Sequence, residues 1–305
     1  MSSSVKLWKY NSYYTAFICD RQYVEGNLRY YTKKLICGKN NRNNIENKEG
    51  IEMNRERLLN AFENYVSNYN LKDPNIYLKY VHTGKVAENC ECIAKSLGLP
   101  EKDCNLAWEI GMLHDIGRFE QLRRFNTFFD NLSIDHAQFG ADLLFREGLI
   151  EKFDECTEHR DLIEKAVRYH SLYRIPENLT EREIMFCQIV RDADKVDIYR
   201  ANYETGVHIV YQVTEEELRN SEITPEVFEV FCEERAIPRD IRKTVADNLV
   251  GHVALSFELV YPKSRELANA QGFVWKLLET EFSNPETIKT ISEIYDRIKN
   301  WYDHH

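Results

Sequence analysis

Imidazole and carboxylate side chains are the groups in this 305-residue sequence whose spacing could support chemistry. His114 and Asp115 are adjacent, follow an apolar helical pattern and stand just before Gly117. Burying such groups is costly unless each has a partner, and a divalent metal ion is the strongest partner available. The pair therefore predicts a metal site, to which other His and Asp residues must be brought.

Helices must position these side chains, because apolar residues recur at helical spacing through most of the chain. Thr180 and Glu183 form a capping-box pattern before one of them. Residues 118–134 are expected to form a loop, with Ser133 capping the next helix, and Val207–Val213 is the single candidate strand. The predicted helices cover 54–68, 76–97, 101–115, about 134–148, 161–172, about 181–203, 225–236, 240–261, 273–282 and 285–303.

Five of these helices each carry a candidate metal ligand on a helix with an apolar face. A bundle that buries the apolar faces can direct all the ligands to one place. Mn, Fe, Co, Ni, Zn and Mg are candidate ions, and six ligands can hold two ions if one carboxylate bridges them. His159, His208 and His252 fit no part of this arrangement and are interpreted as structural or surface residues. The candidates are His82, His114, Asp115, His136, His170 and Asp194.

The order H…HD…D, with Ala193-Asp194-Lys195 at its end, resembles the HD-domain superfamily of metal-dependent phosphohydrolases. The likeness spans about residues 82–197 and implies an all-α fold, an HD-domain helical bundle with additional C-terminal helices. It implies that His82, His114, Asp115 and Asp194 hold one divalent ion, and that His136 and His170 serve a second. Asp192 and Asp197 compete with Asp194, which is preferred for its Ala-Asp-Lys context.

The resemblance also implies a reaction, the attack of a metal-activated water on a small phosphorylated substrate, for which a nucleotide is one candidate. Asp115 is the expected bridging ligand. Arg118 and Lys195 are catalytic candidates for contacts to phosphate, and Arg123 and Arg124 are weaker ones, because charge in the transition state requires cations.

The residues after the His-Asp pair narrow the subfamily. The segment Arg118-Phe119-Glu120 is similar to that of bacterial members carrying His-Asp-Ile-Gly-Arg-Phe-Glu. The sequence lacks the signature motifs of three other subfamilies, which are therefore disfavoured. They are the guanosine-tetraphosphate hydrolases, the deoxynucleotide triphosphohydrolases and the cyclic-di-nucleotide phosphodiesterases. Two alternatives stay open. HD-fold di-iron oxygenases use the same six ligands, and a metal or nucleotide sensor without catalysis would also need a metal site.

Composition limits the other classes of function. The net charge of −10 argues against general nucleic-acid binding, and no stretch reaches the roughly 20 apolar residues of a membrane span. The eight cysteines form no C-x-x-C pair, and Cys90 and Cys92 should point to different faces of a helix. We therefore expect reduced cysteines and a cytoplasmic protein.

Three regions are predicted along the chain. Residues 1–52 are expected to form an atypical or poorly ordered arm, and the alternative is that they lie upstream of a true start at Met53. Residues 53–204 are expected to form the metal-binding HD core, and residues 205–305 a C-terminal helical region packed on that core. Its aromatic residues suit either the shaping of a pocket or a homodimer contact.

Overall fold

The computed structural model of the protein describes residues 19–24, 27–32, 55–153 and 158–305. The chain divides into two compact units, residues 1–50 and 51–305. In the first, strands β1 (Cys19–Val24) and β2 (Asn27–Thr32) pair in antiparallel fashion, a hairpin that the sequence analysis did not anticipate. The rest of the predicted arm over 1–52 lies outside the described residues, and the predicted boundary at 204/205 stays a prediction.

The described residues of the second unit are helical and contain no strand, which confirms the all-α prediction with additional C-terminal helices. No helix within 55–153 or 158–305 combines the length and apolarity needed to cross a lipid bilayer. The helices are α1 (Arg55–Val66), α2 (Pro74–Ser96), α3 (Glu101–Leu113), α4 (Ile116–Phe125), α5 (His136–Ala141), α6 (Arg160–Tyr169), α7 (Glu181–Thr205), α8 (Val207–Val210), α9 (Glu215–Arg219), α10 (Pro225–Cys232), α11 (Val245–Val253), α12 (Pro262–Gln271), α13 (Phe273–Leu278) and α14 (Pro285–His304).

The long helix α7 joins two hydrophobic cores. Val190 and Ala193 belong to a core shared with α1 to α4 and α6, whereas Val196 and Tyr199 belong to a core shared with the C-terminal helices. The predicted capping box starts α7, because the Thr180 side chain accepts from the Glu183 amide while the Glu183 carboxylate accepts from the Thr180 amide. Asp194 therefore lies where the two cores meet.

The predicted loop over 118–134 is wrong in its first half. Ile116, Phe119 and Leu122 recur every third residue and are buried, so α4 forms there and ends at Asn126, whose φ of 53° is left-handed. The cap of α5 is Asp135, which accepts from two backbone amides, and not Ser133.

Two predictions for the C-terminal region are also wrong. The candidate strand Val207–Val213 is the short helix α8 followed by a turn, since the alternation of apolar residues there reflects one half-buried helical turn. The predicted helix 240–261 divides into α11 and a 3-10 segment, Ala254–Glu258, before Pro262 opens α12. Proline suits the first turn of a helix and not its interior.

Candidate metal centre

The His114-Asp115 pair occupies the junction between α3 and α4. Both side chains are buried, and Asp115 leaves helical geometry with φ −104° and ψ 18°. His114 lies one turn beyond Gly111, and its Nδ1 donates to the Gly111 carbonyl oxygen at 2.7 Å. Because a carbonyl can only accept, the proton is on Nδ1 and the lone pair is on Nε2. Burial lowers the pKa of His114 to about 3, so the ring is neutral.

His82 reaches the same place from α2. Its Nδ1 lies 2.7 Å from Asp197 Oδ2, and Arg200 donates to both oxygens of Asp197 at 2.7 Å. His82 Nε2 lies 3.0 Å from Asp194 Oδ1 without an in-line hydrogen bond. Burial, and then the charge of Lys79, lower the pKa of His82, but the neighbouring carboxylates of Asp194 and Asp197 outweigh them and leave that pKa raised. A proton at Nε2 would therefore compete with a metal ion for this position.

These residues define site 1, made of His82, His114, Asp115 and Asp194. Donor atoms of the first three lie within 4.8 Å of one another, and Asp194 Oδ1 is 3.9 Å from His114 Nε2. Burial raises the pKa of Asp194, but the adjacent His82, and then His114, hold it below its usual range. Site 1 thus offers two imidazole nitrogens and two carboxylates, a donor set suited to divalent transition metals.

Site 2 consists of Asp115, His136 and His170, whose donor atoms also lie within 4.8 Å of one another. His170 ends α6 and donates from Nδ1 to the Val167 carbonyl oxygen at 2.7 Å. His136 opens α5, and its Nδ1 lies 2.7 Å from Asp130 Oδ2. Burial, then the charge of Arg118, lowers the pKa of His136 to about 4. Nε2 of His136 and Nε2 of His170 lie 3.1 Å apart, so a single cation, either a metal ion or an added proton, can join the two rings.

Asp115 lies between the two sites and gives one oxygen to each. Oδ2 is 3.6 Å from Nε2 of both His82 and His114, whereas Oδ1 is 3.4 Å from His136 Nε2 and 3.7 Å from His170 Nε2. Burial raises the pKa of Asp115, but Lys79 first, and then His114, hold it well below its usual range. The ionised carboxylate has the geometry of a bridging ligand.

Lys79, Asp130 and Asp197 are functional candidates that the sequence analysis missed or assigned otherwise. Lys79 precedes His82 by three residues on α2, and its Nζ lies 2.7 Å from Asp115 Oδ2. That spacing was the available signal, since residues three apart share one face of a helix. Asp130 and Asp197 orient His136 and His82, as carboxylates beside metal-binding histidines do. No local pattern marks them, because their partners are distant in sequence or lie across a turn.

Of the two predicted catalytic cations, Arg118 lies near the metal centre, whereas the side chain of Lys195 is turned away from it. Arg118 lines the cavity beside the centre, and its Nη1 donates to Asp130, Gln121 and the Phe128 carbonyl, each at 2.8 Å. Lys195 is buried beside Glu258 at 3.4 Å, because one residue along a helix rotates its side chain away from the face that carries Asp194. We therefore leave Lys195 out of the proposed catalytic set.

Two further expectations concern the surface and the competing carboxylates. Arg123 and Arg124 are about half exposed and both bind Glu120, so they are solvated surface residues. Asp192 accepts from the backbone amides of Val260 and Tyr261 at 3.0 Å and so fixes a C-terminal turn. With Asp197 held by Arg200, Asp194 is the carboxylate of α7 that faces site 1.

A close approach of two helices positions His136. A Cβ placed on Gly117 would lie 2.6 Å from the His136 carbonyl oxygen and 2.8 Å from the Gly140 amide nitrogen. Only glycine permits α4 to pass α5 at this distance. The glycine two residues after the His-Asp pair therefore sets the position of site 2.

A cavity of about 620 Å³ opens beside the centre. Lys79, His82 and Arg118 line one end, and residues from the C-terminal helices line the other. Its volume is in the range of pockets that hold small organic ligands. Helix α7 contributes the wall between the two ends, including Ile198 and Ala201.

A helical bundle that gathers four histidines and two aspartates, with His82 also lining the adjacent cavity, defines a candidate metal-dependent enzyme. The sequence profile of the HD domain family matches residues 80–199, from α2 to the middle of α7. This stretch is therefore an HD domain, and the predicted membership of the HD-domain superfamily is confirmed. No curated protein and no solved structure gives a significant match to the chain. The finer likeness to bacterial members stays a prediction.

Proposed function

We propose that this protein is a metal-dependent phosphohydrolase that holds divalent ions at sites 1 and 2 and hydrolyses a small phosphoester. The observation that carries the proposal is the convergence of donor atoms from His82, His114 and Asp115, and from Asp115, His136 and His170, within 4.8 Å in each group. Nε2 of His82 and Nε2 of His114 are buried without a hydrogen-bond partner, and a bound divalent ion would supply one.

A bound divalent ion would polarise the phosphoryl group and lower the pKa of a water molecule enough for it to attack phosphorus. Mn, Fe, Co, Ni, Zn and Mg remain the candidate ions. The remaining roles belong to the chain. Asp115 and Asp194 would supply negative charge that balances the ions, while an imidazole that binds through its lone pair would add none.

Lys79 is the best-placed cation for contact with a phosphate group. Its ammonium lines the cavity, keeps 17% of its side chain exposed and already neutralises Asp115. Arg118 has a positioning role, because its Nη1 bonds to Asp130, which in turn orients His136. Replacement of Arg118 should therefore weaken ion binding at site 2, whereas replacement of Lys79 should lower turnover more than ion binding.

Metal analysis beside a phosphatase panel tests the proposal. Protein purified without chelator should contain two ions per chain and release phosphate from at least one ester when manganese is added. Asp115→Ala should lose this activity, and Asp161→Ala, which changes an exposed carboxylate on α6, should keep it. Two bound ions without hydrolysis of any phosphoester would contradict the proposed reaction, and one ion would remove His136 and His170 from the ligand set.

The alternative function, a di-iron oxygenase, would use the same six ligands, including His136 and His170 of site 2. Iron-loaded protein would then show a broad visible or electron paramagnetic resonance signal that changes on exposure to oxygen. The phosphohydrolase proposal requires instead that non-redox ions such as Mg or Zn support turnover. Tight nucleotide binding without either activity would favour the sensor alternative.

A further inference from the structure

The end of the cavity remote from sites 1 and 2 has a positively charged wall. Arg239 and Arg242 line it, and no carboxylate lies within 4.0 Å of either guanidinium among the described residues. Asp240 is the carboxylate that lines this part of the cavity, and Asp247 and Glu258 act on Arg242 from outside the lining. The lining itself therefore carries two arginines against one aspartate. In a chain of net charge −10, such a wall is a local exception that would attract anions.

Arg242 is held in place by the fold instead of extending into solvent. Its Nη2 donates to the Ile237 carbonyl oxygen, while its Nε is buried without a hydrogen-bond partner. A Cβ on Gly251 would lie 2.4 Å from Arg242 Cζ, so the guanidinium packs against the backbone of α11 at a position that only glycine allows. A half-buried guanidinium that the fold holds in place without a paired carboxylate is a preorganised site for an oxyanion.

Neutral groups around the arginines add further hydrogen-bonding capacity. His252 lies 3.0 Å from both the Asn202 amide nitrogen and the Tyr211 hydroxyl, and all three line the cavity. Burial, and then the charges of Arg242 and Arg239, lowers the pKa of His252 to about 3. Both guanidinium groups therefore lie close enough to His252 for their charges to act on it.

We propose that Arg239 and Arg242 form a second phosphate subsite, so that the substrate is a bisphosphorylated small molecule cleaved at one phosphate and held by the other. This rests on the proposed function, because sites 1 and 2 at the opposite end hold the scissile group. A phosphate suits the wall better than a carboxylate does, since two guanidinium groups and several neutral donors exceed the acceptors of one carboxylate. The cavity volume of about 620 Å³ leaves room for an organic body between the two groups.

The test compares matched esters that differ by one phosphate. Adenosine 5′-monophosphate is paired with adenosine 3′,5′-bisphosphate, and glucose 6-phosphate with glucose 1,6-bisphosphate. The wild-type enzyme should favour the bisphosphate of at least one pair by about tenfold or more in kcat/KM. Arg239→Gln should reduce kcat/KM for that bisphosphate about ten times more than for its monophosphate partner. Arg242→Met should act in the same direction.

Two controls keep the result interpretable. Arg235→Gln removes an exposed arginine that pairs with Glu233 outside the cavity, and it should preserve the preference. Arg239 is exposed, so its variant should fold even if the variant of the half-buried Arg242 does not. An active enzyme without preference, or a preference unchanged in Arg239→Gln, overturns the subsite.

Equilibrium binding separates this inference from the proposed reaction. Titration calorimetry of the manganese-loaded protein with adenosine 3′,5′-bisphosphate and with glucose 1,6-bisphosphate needs no turnover. Binding of either that weakens about tenfold or more in Arg239→Gln supports the subsite even if no ester is hydrolysed. Failure of both to bind, or equal affinity in wild type and variant, rejects the subsite whether or not phosphate is released.

Discussion

Replacement of Gly117 by alanine should disturb site 2 while leaving site 1 largely intact. The added Cβ would lie 2.6 Å from the His136 carbonyl oxygen and 2.9 Å from Gly140 Cα. Ordinary contact begins near 3.4 Å, so α5 must move by about 0.8 Å, and backbone atoms cannot rotate away as a side chain could. Metal–ligand distances tolerate only about 0.2 Å. The shift carried to His136 is several times larger than that tolerance.

We expect Gly117→Ala to weaken ion binding at site 2 by about tenfold to a hundredfold and to lower the free energy of unfolding by about 1–3 kcal/mol. The matched control is Gly84→Ala on α2, two residues after His82. Nothing lies within 4 Å of a Cβ there, so alanine should raise the helix stability by roughly 0.5–1 kcal/mol.

Calorimetric titration with manganese and chemical denaturation provide the measurements. Wild type and Gly84→Ala should show two binding steps, whereas Gly117→Ala should keep the step from site 1 and lose or weaken the other. If Gly117→Ala binds two ions with wild-type affinity and is as stable as wild type, then the close approach of α4 and α5 does not set the position of His136.

Four further changes test the centre and the cavity wall. Asp130→Asn should weaken ion binding at site 2 by about tenfold to a hundredfold, and Asp197→Asn should weaken ion binding at site 1 by a similar factor. A manganese titration should show these effects as changes in separate binding steps. If either variant weakens both steps equally, the two carboxylates do not have separate roles. Chelation with EDTA should lower the melting temperature of wild type more than that of Asp115→Ala, because an ion at about 100 times its dissociation constant stabilises a protein by about 2.7 kcal/mol. The depressed pKa of His252 means that the unfolded chain binds the extra proton, so its contribution is present near pH 7 and falls by about 2 kcal/mol by about pH 5. His252→Gln should therefore flatten the decline of unfolding free energy over this range, as measured by urea denaturation; an unchanged slope would show that His252 is not held neutral.

The sequence was sufficient for the all-α class and for gathering the six candidate ligands. The reason is physical: each candidate lies on a helix with an apolar face, and burying these faces leaves few places where the polar groups can meet. His114-Asp115 also carried its own signal, because two ionisable neighbours within an apolar pattern require compensation.

The partners of those ligands could not be predicted in the same way. Asp197 meets His82 across 115 residues of sequence, and α2 and α7 must pack before the pair exists. Lys195 was predicted from its neighbour in sequence, but adjacent residues of a helix face different directions. The cavity wall at Arg239 and Arg242 depends on how the C-terminal helices pack against each other, and composition does not predict this packing.

His114 and His170 are oriented by the same kind of hydrogen bond, which is of use in protein design. Each follows the last residue of its helix, and each donates from Nδ1 to a carbonyl oxygen three residues earlier, in Gly111 and Val167. Those carbonyls lack partners within the helix, so the helix end itself selects the tautomer. The backbone of the same helix therefore supplies the acceptor that orients such a histidine. A designer could graft it onto the end of any buried helix without also building a supporting carboxylate.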